Sequence, residues 1–78
     1  LNYEPLIALK GGFDGLDLIK KVIYKSKYLL KTNGLLGIEI GTNQYLKVLN
    51  ILKKNGFREA DKEYDYNHNV RCIISTKI

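Results

Sequence analysis

The sequence predicts an α/β fold, a three-stranded mixed sheet with two helices on one face, arranged like the second half of a doubly wound domain. Apolar residues recur at three- and four-residue spacings from Leu16 to Leu30 and again from Tyr45 to Leu52, as amphipathic helices require. Residues 35–40 and 70–76 are short apolar runs of the kind buried on both faces of a sheet. The elements follow one another as helix, strand, helix, strand, turn, strand, and right-handed crossovers in that order place both helices on the same side.

Residues 1–13 read as a loop serving a site. They open with the rigid turn Tyr3-Glu4-Pro5, pass through four mostly apolar residues and break at Gly11-Gly12. Glycines 11, 12 and 15 would each weaken an ordinary element by roughly 0.5–1 kcal/mol, so the stretch is expected to follow a special backbone path. Asp14 is placed to cap the first helix, with Asp17 at its third position suiting the positive end of the dipole. Leu16, Ile19, Val22, Ile23, Ser26, Leu29 and Leu30 form its apolar face, and Lys20, Lys21, Lys25, Lys27 and Lys31 its solvated one. Thr32-Asn33-Gly34 ends the helix, the glycine being expected to take the left-handed conformation.

Glu39 is the anomaly of the strand at 35–40. An unpaired buried carboxylate costs several kcal/mol, so Glu39 needs a partner. One candidate is Arg71 on the strand expected beside it, since neighbouring strands lie roughly 4.7–4.9 Å apart. The other is solvent, or a substrate at the open end of the sheet. A second helix spans about 43–55, capped from Gly41-Thr42-Asn43. The charged segment 57–64 suits an edge strand, and 70–76 the centre. Asn67-His68-Asn69 is turn chemistry, and His68, the only histidine, has no cysteine or second histidine to share a metal.

Seventy-eight residues make one small domain at most, or a piece of a larger one. The chain begins at Leu1 and contains no methionine, and no parallel strand is expected ahead of the first helix. Both features raise the expectation that an upstream part is missing, leaving 1–78 a single partial domain: loop 1–13, then helix, strand, helix, strand, strand over 14–78. No apolar run approaches the ~20 residues of a membrane span, and the lone Cys72 in an apolar run fits a buried thiol in a reducing cytoplasm. The net charge of +5 rests on eleven lysines, accompanied by seven asparagines, nine isoleucines and six tyrosines, a mixture that A/T-rich codons produce. The only arginines, Arg58 and Arg71, lie far apart, so a nucleic-acid partner is not expected. No catalytic constellation, metal cluster or phosphate cradle is present.

An ordered set of short motifs runs through the chain: Tyr3-Glu4-Pro5, Ala8-Leu9, Gly11-Gly12, Asp14-Gly15-Leu16-Asp17, Leu30-Lys31 before Asn33-Gly34, Glu39-Ile40-Gly41 with Gln44, Gly56-Phe57, and Asp65 followed by Arg71. Together they resemble the C-terminal part of the HemK/PrmC family, S-adenosylmethionine-dependent methyltransferases of the glutamine in the Gly-Gly-Gln loop of peptide chain release factors. The resemblance implies half of a Rossmann-like class I methyltransferase sheet, with the glycine-rich cofactor loop, its acidic partner and the Asn-Pro-Pro-Tyr motif all upstream. It therefore implies no catalytic or cofactor-binding residue here, a substrate-pocket rim at Tyr3, Glu4, Pro5, Gly11 and Gly12, and inactivity of these residues alone, while the structural roles expected of Asp14, Glu39 and Arg71 rest on the capping and strand pattern above. Two departures stand out: Gly37 replaces a larger apolar residue, and Asn67-His68-Asn69 a glycine-containing turn. Competing readings are a methyltransferase of another amide or amino nitrogen, such as adenine in DNA, and a small stand-alone binding module.

Overall fold

The computed structural model describes residues 6–11 and 15–78. Its elements are β1 (Leu6–Leu9), α1 (Leu16–Leu29), β2 (Leu35–Glu39), α2 (Tyr45–Lys54), β3 (Phe57–Tyr64) and β4 (Val70–Lys77). The strands form a four-stranded sheet in the order β1-β2-β4-β3. β4 runs antiparallel to both its neighbours, and so lies between the other two expected strands, with the charged β3 at an edge.

The strand count differs from the expectation. Leu6–Leu9 is a strand, not loop, paired parallel to β2 with Leu6 opposite Leu35 and Leu9 opposite Ile38. Its four residues are at the short end for a strand, and the glycines that suggested a loop begin only at Gly11. α1 thus does have a preceding parallel strand, and β1–α1–β2 is a crossover unit.

Strand alternation divides the sheet into two unlike faces. One bears Ile7, Leu9, Leu36, Ile38, Phe57 and Ile73, which gather with Ile19 and Ile23 of α1 and Val48 and Leu52 of α2 into the core. Both helices therefore cover this face. Ser75 shares it and is fully buried, its hydroxyl donating to the carbonyl of Leu36 at 3.1 Å. The opposite face carries Leu6, Ala8, Gly37, Glu39, Cys72 and Ile74 and is covered by no described helix; Leu6 there is 62% exposed. Ile74 packs beside Gly37, where a Cβ would meet its Cδ1 at 3.4 Å, an ordinary contact.

The helix ends correct several local expectations. Gly15, in an extended conformation, is the N-cap of α1, while Asp14 lies outside the described residues; Asp17 is in the first turn as expected. Leu29 turns outward, 72% exposed, because the helix ends there and Leu30 takes the buried position. Asn33, not Gly34, is left-handed, with φ 71°. Gly34 serves a close approach instead: a Cβ would lie 2.9 Å from both Leu30 Cδ2 and the Lys31 carbonyl oxygen. α2 begins at Tyr45 with Gln44 at the cap position, and Gly56 (φ 82°) follows its end.

Candidate active-site cleft

In an open α/β sheet, ligands gather beyond the carboxyl ends of the parallel strands. The chain leaves β1 through Lys10-Gly11 and β2 through Ile40-Gly41, and between these exits and the β3–β4 hairpin lies a cleft of about 550 Å³. Gly11, Glu39, Gly41, Glu63, Arg71 and Cys72 line it.

Glu39 is the last residue of β2 and half-buried. Its Oε1 accepts the backbone N–H of Gly11 at 2.6 Å, across 28 positions of sequence. Gly11 has φ 119°, a conformation that side-chain-bearing residues rarely adopt. The exit of β2 is tied in the same way, with the Gly41 N–H donating to Gln44 Oε1 at 2.7 Å. Each strand exit thus has a glycine amide bonded to a side-chain oxygen.

The expected pairing of Glu39 with Arg71 is not formed. Glu39 lies opposite Cys72 in the ladder, so Arg71 is one residue out of step and leaves β4 toward the other face. Its carbonyl accepts the Ile40 N–H at 2.9 Å, and its Nε lies 3.5 Å from Asp65 Oδ2. Asp65 in turn organises the hairpin, its Oδ1 accepting the N–H groups of Asn67 at 2.8 Å and Asn69 at 3.0 Å. The Asn69 bond foremost, with help from Asn67 and Arg71, holds the Asp65 carboxyl below the usual carboxylate range. His68 occupies the left-handed position of this turn (φ 62°).

Cys72 is half-buried, and burial first, then the charges of Glu63 and Glu39, push its thiol above the ordinary value, so it is no activated nucleophile. Outside the cleft, the Tyr45 hydroxyl donates to Glu59 Oε2 at 2.6 Å and accepts from Lys62 Nζ at 3.3 Å, bracing α2 against β3. Periodicity marked Tyr45 only as part of an apolar stripe; its polar end had no local signal in the sequence. No group of His, Cys, Asp and Glu suited to a metal occurs among the described residues. Of the expected pocket rim, Gly11 is in the cleft, while Tyr3, Glu4, Pro5 and Gly12 lie outside the described residues. The charged lining consists of Glu39 and Glu63, with Arg71 turned to Asp65. Two glutamates do not suit the carboxylate of an S-adenosylmethionine amino-acid end.

The helix-backed mixed sheet, with β4 antiparallel between β2 and β3, is an α/β arrangement that also occurs in a solved structure. The crystal structure of the release-factor-specific protein-(glutamine-N5) methyltransferase from Alicyclobacillus acidocaldarius has a similar fold, with a TM-score of 0.64 at 24% identity over 90% of this chain and 45% of that one. Among curated relatives, the release factor glutamine methyltransferase of Clostridium acetobutylicum is 38% identical and that of Thermodesulfovibrio yellowstonii 46% identical, each over 97% of this chain and 27% of the relative. The ribosomal protein uL3 glutamine methyltransferase of Francisella tularensis is 46% identical over 56% of this chain and 14% of its own length. A scan against protein-family models finds no match. The chain spans about 27% of the length of the first two of these relatives. Over nearly its whole length the chain is similar to the C-terminal part of release factor glutamine methyltransferases.

Proposed function

We propose that these residues form the C-terminal, partial domain of a cytoplasmic S-adenosylmethionine-dependent methyltransferase that modifies the side-chain amide of the glutamine in the Gly-Gly-Gln loop of release factors. The observation that carries this reading is the near end-to-end match to release factor glutamine methyltransferases, reaching 97% of the chain. The uncovered, partly apolar sheet face is in keeping with it, since the sheets of doubly wound folds are covered on both sides. Among the described residues no helix is long and apolar enough to cross a membrane.

An amide nitrogen is a poor nucleophile, and its methylation depends on positioning and water exclusion more than on a strong base. The cofactor supplies an activated methyl group when bound. The residues of this chain shape the protein-substrate side: the stretch around Tyr3-Glu4-Pro5 and the Gly11-Gly12 exit form the rim that receives the glutamine. The similarity to the uL3 glutamine methyltransferase favours one second reading, the same chemistry on a glutamine of a ribosomal protein. Incubating the full-length protein and S-adenosylmethionine with intact release factor and, separately, with uL3, followed by peptide mass spectrometry, tests the proposal. Methylation confined to the Gly-Gly-Gln peptide is expected; modification of uL3 alone, or of neither protein, would reject it.

A further inference from the structure

We propose that Glu39 is a positioning residue, its carboxylate holding the Gly11 amide and so setting where the chain leaves β1 at the rim. The inference rests on the reading of that rim as the substrate-facing edge and adds a residue to it.

The bond is short at 2.6 Å and, though exposed, has a carboxylate acceptor. It joins the exits of two neighbouring parallel strands, beyond their last register pair, Leu9 opposite Ile38. Gly11 meets it with φ 119°, a backbone state that aims the N–H at β2 and leaves no easy place for a side chain. Register turns Arg71 away from Glu39 and toward Asp65, and the Glu39 carboxylate bonds the Gly11 amide. β2 uses the same device on its own exit through Gly41 and Gln44, so both strand ends facing the cleft are held by side-chain oxygens. The Glu39 side chain stands at a half-buried strand end between the buried Ile38 and Ile40, with its bond to Gly11 exposed. Holding a site-facing loop in one geometry explains its presence better than stability does.

The test uses the full-length protein with Glu39→Ala, Glu39→Gln and Gly11→Ala, read by amide hydrogen exchange and by steady-state methylation of release factor. In Glu39→Ala, loss of a charge-assisted bond should speed exchange at Gly11 by about tenfold and raise KM for the protein substrate by about as much, with kcat changed by less than about twofold. Protection in β2 and β4 should stay as in the wild type. Glu39→Gln keeps an acceptor oxygen and should recover most of the KM, while Gly11→Ala, strained at the other end of the bond, should reproduce the Glu39→Ala behaviour. Unchanged exchange at Gly11 in Glu39→Ala would overturn the proposal, as would a Glu39→Gln variant equal to Glu39→Ala with protection lost throughout β2 and β4. If the wild-type protein methylates no protein glutamine, the functional reading fails, and exchange at Gly11 still decides whether Glu39 holds the exit.

Discussion

Lys77, at the end of β4, closes the carboxyl end of α1: its Nζ lies 2.9 Å from the carbonyl oxygen of Leu30 and also bonds that of Lys27. Helix ends leave carbonyls without partners, and a cation there also meets the negative end of the dipole. Replacing the ammonium while keeping the stem, as in Lys77→Met, should cost about 1.5–3 kcal/mol, the range for hydrogen bonds to charged groups. Denaturant titration checks this, and a midpoint equal to wild type would show that the contact contributes nothing.

Asp65 should matter more to the hairpin than Arg71 does, because its carboxylate serves two backbone amides as well as the guanidinium. Asp65→Ala is expected to lower the thermal midpoint clearly, and Arg71→Ala only slightly, as for an exposed ion pair. The folded-state pKa of Asp65 is depressed from 3.8. Its contribution is therefore fully present above that value and is lost as the pH falls through the lower folded pKa. Wild type and Asp65→Asn should differ in stability at neutral pH and converge below pH 3.8, whereas a difference independent of pH would reject the linkage.

Left-handed residues separate two roles that glycine could play. His68 and Asn33 hold φ 62° and 71°, so His68→Gly and Asn33→Gly should be neutral or stabilising by up to about 1 kcal/mol. Gly34→Ala should instead destabilise by about 1–3 kcal/mol, since its Cβ would overlap Leu30 and the Lys31 carbonyl. Melting curves of the three variants check the signs, and a stabilised Gly34→Ala would refute the packing account.

These positions also mark where the sequence was readable. Period and apolarity sufficed for α1, α2 and the central place of β4, because each buries a stripe or run against the shared core of Ile19, Ile38, Val48 and Ile73. β1 was hidden because four residues carry little pattern and the glycines beyond them dominate the reading. The Glu39–Arg71 pairing failed on register: one residue of offset sends a side chain to the other face, and register is set by the whole ladder. Lys77 and the Tyr45–Glu59–Lys62 brace join positions distant in sequence, where no local spacing announces a contact. In the cleft, Gly11 and the oddity of Glu39 were visible from sequence, but the bond between them needed the parallel pairing of β1 with β2.

Cys72 should label slowly at neutral pH although it lines the cleft, because burial and the nearby Glu63 and Glu39 charges disfavour its thiolate. Glu63→Gln should speed reaction with a disulfide reagent by removing one of the two charges. A rate equal to that of a free thiol in the wild-type protein would contradict the prediction.

On the proposed function, these residues are the substrate-side part of a methyltransferase and the cofactor contacts lie elsewhere in the whole protein. Calorimetric titration of S-adenosylmethionine into the full-length protein and into the 78-residue chain tests it most directly. Saturable binding by the full-length protein and none by the chain alone are expected, because cofactor affinity requires the preorganised loops of the other part. Micromolar binding by the 78 residues themselves, or none by the full-length protein, would contradict it.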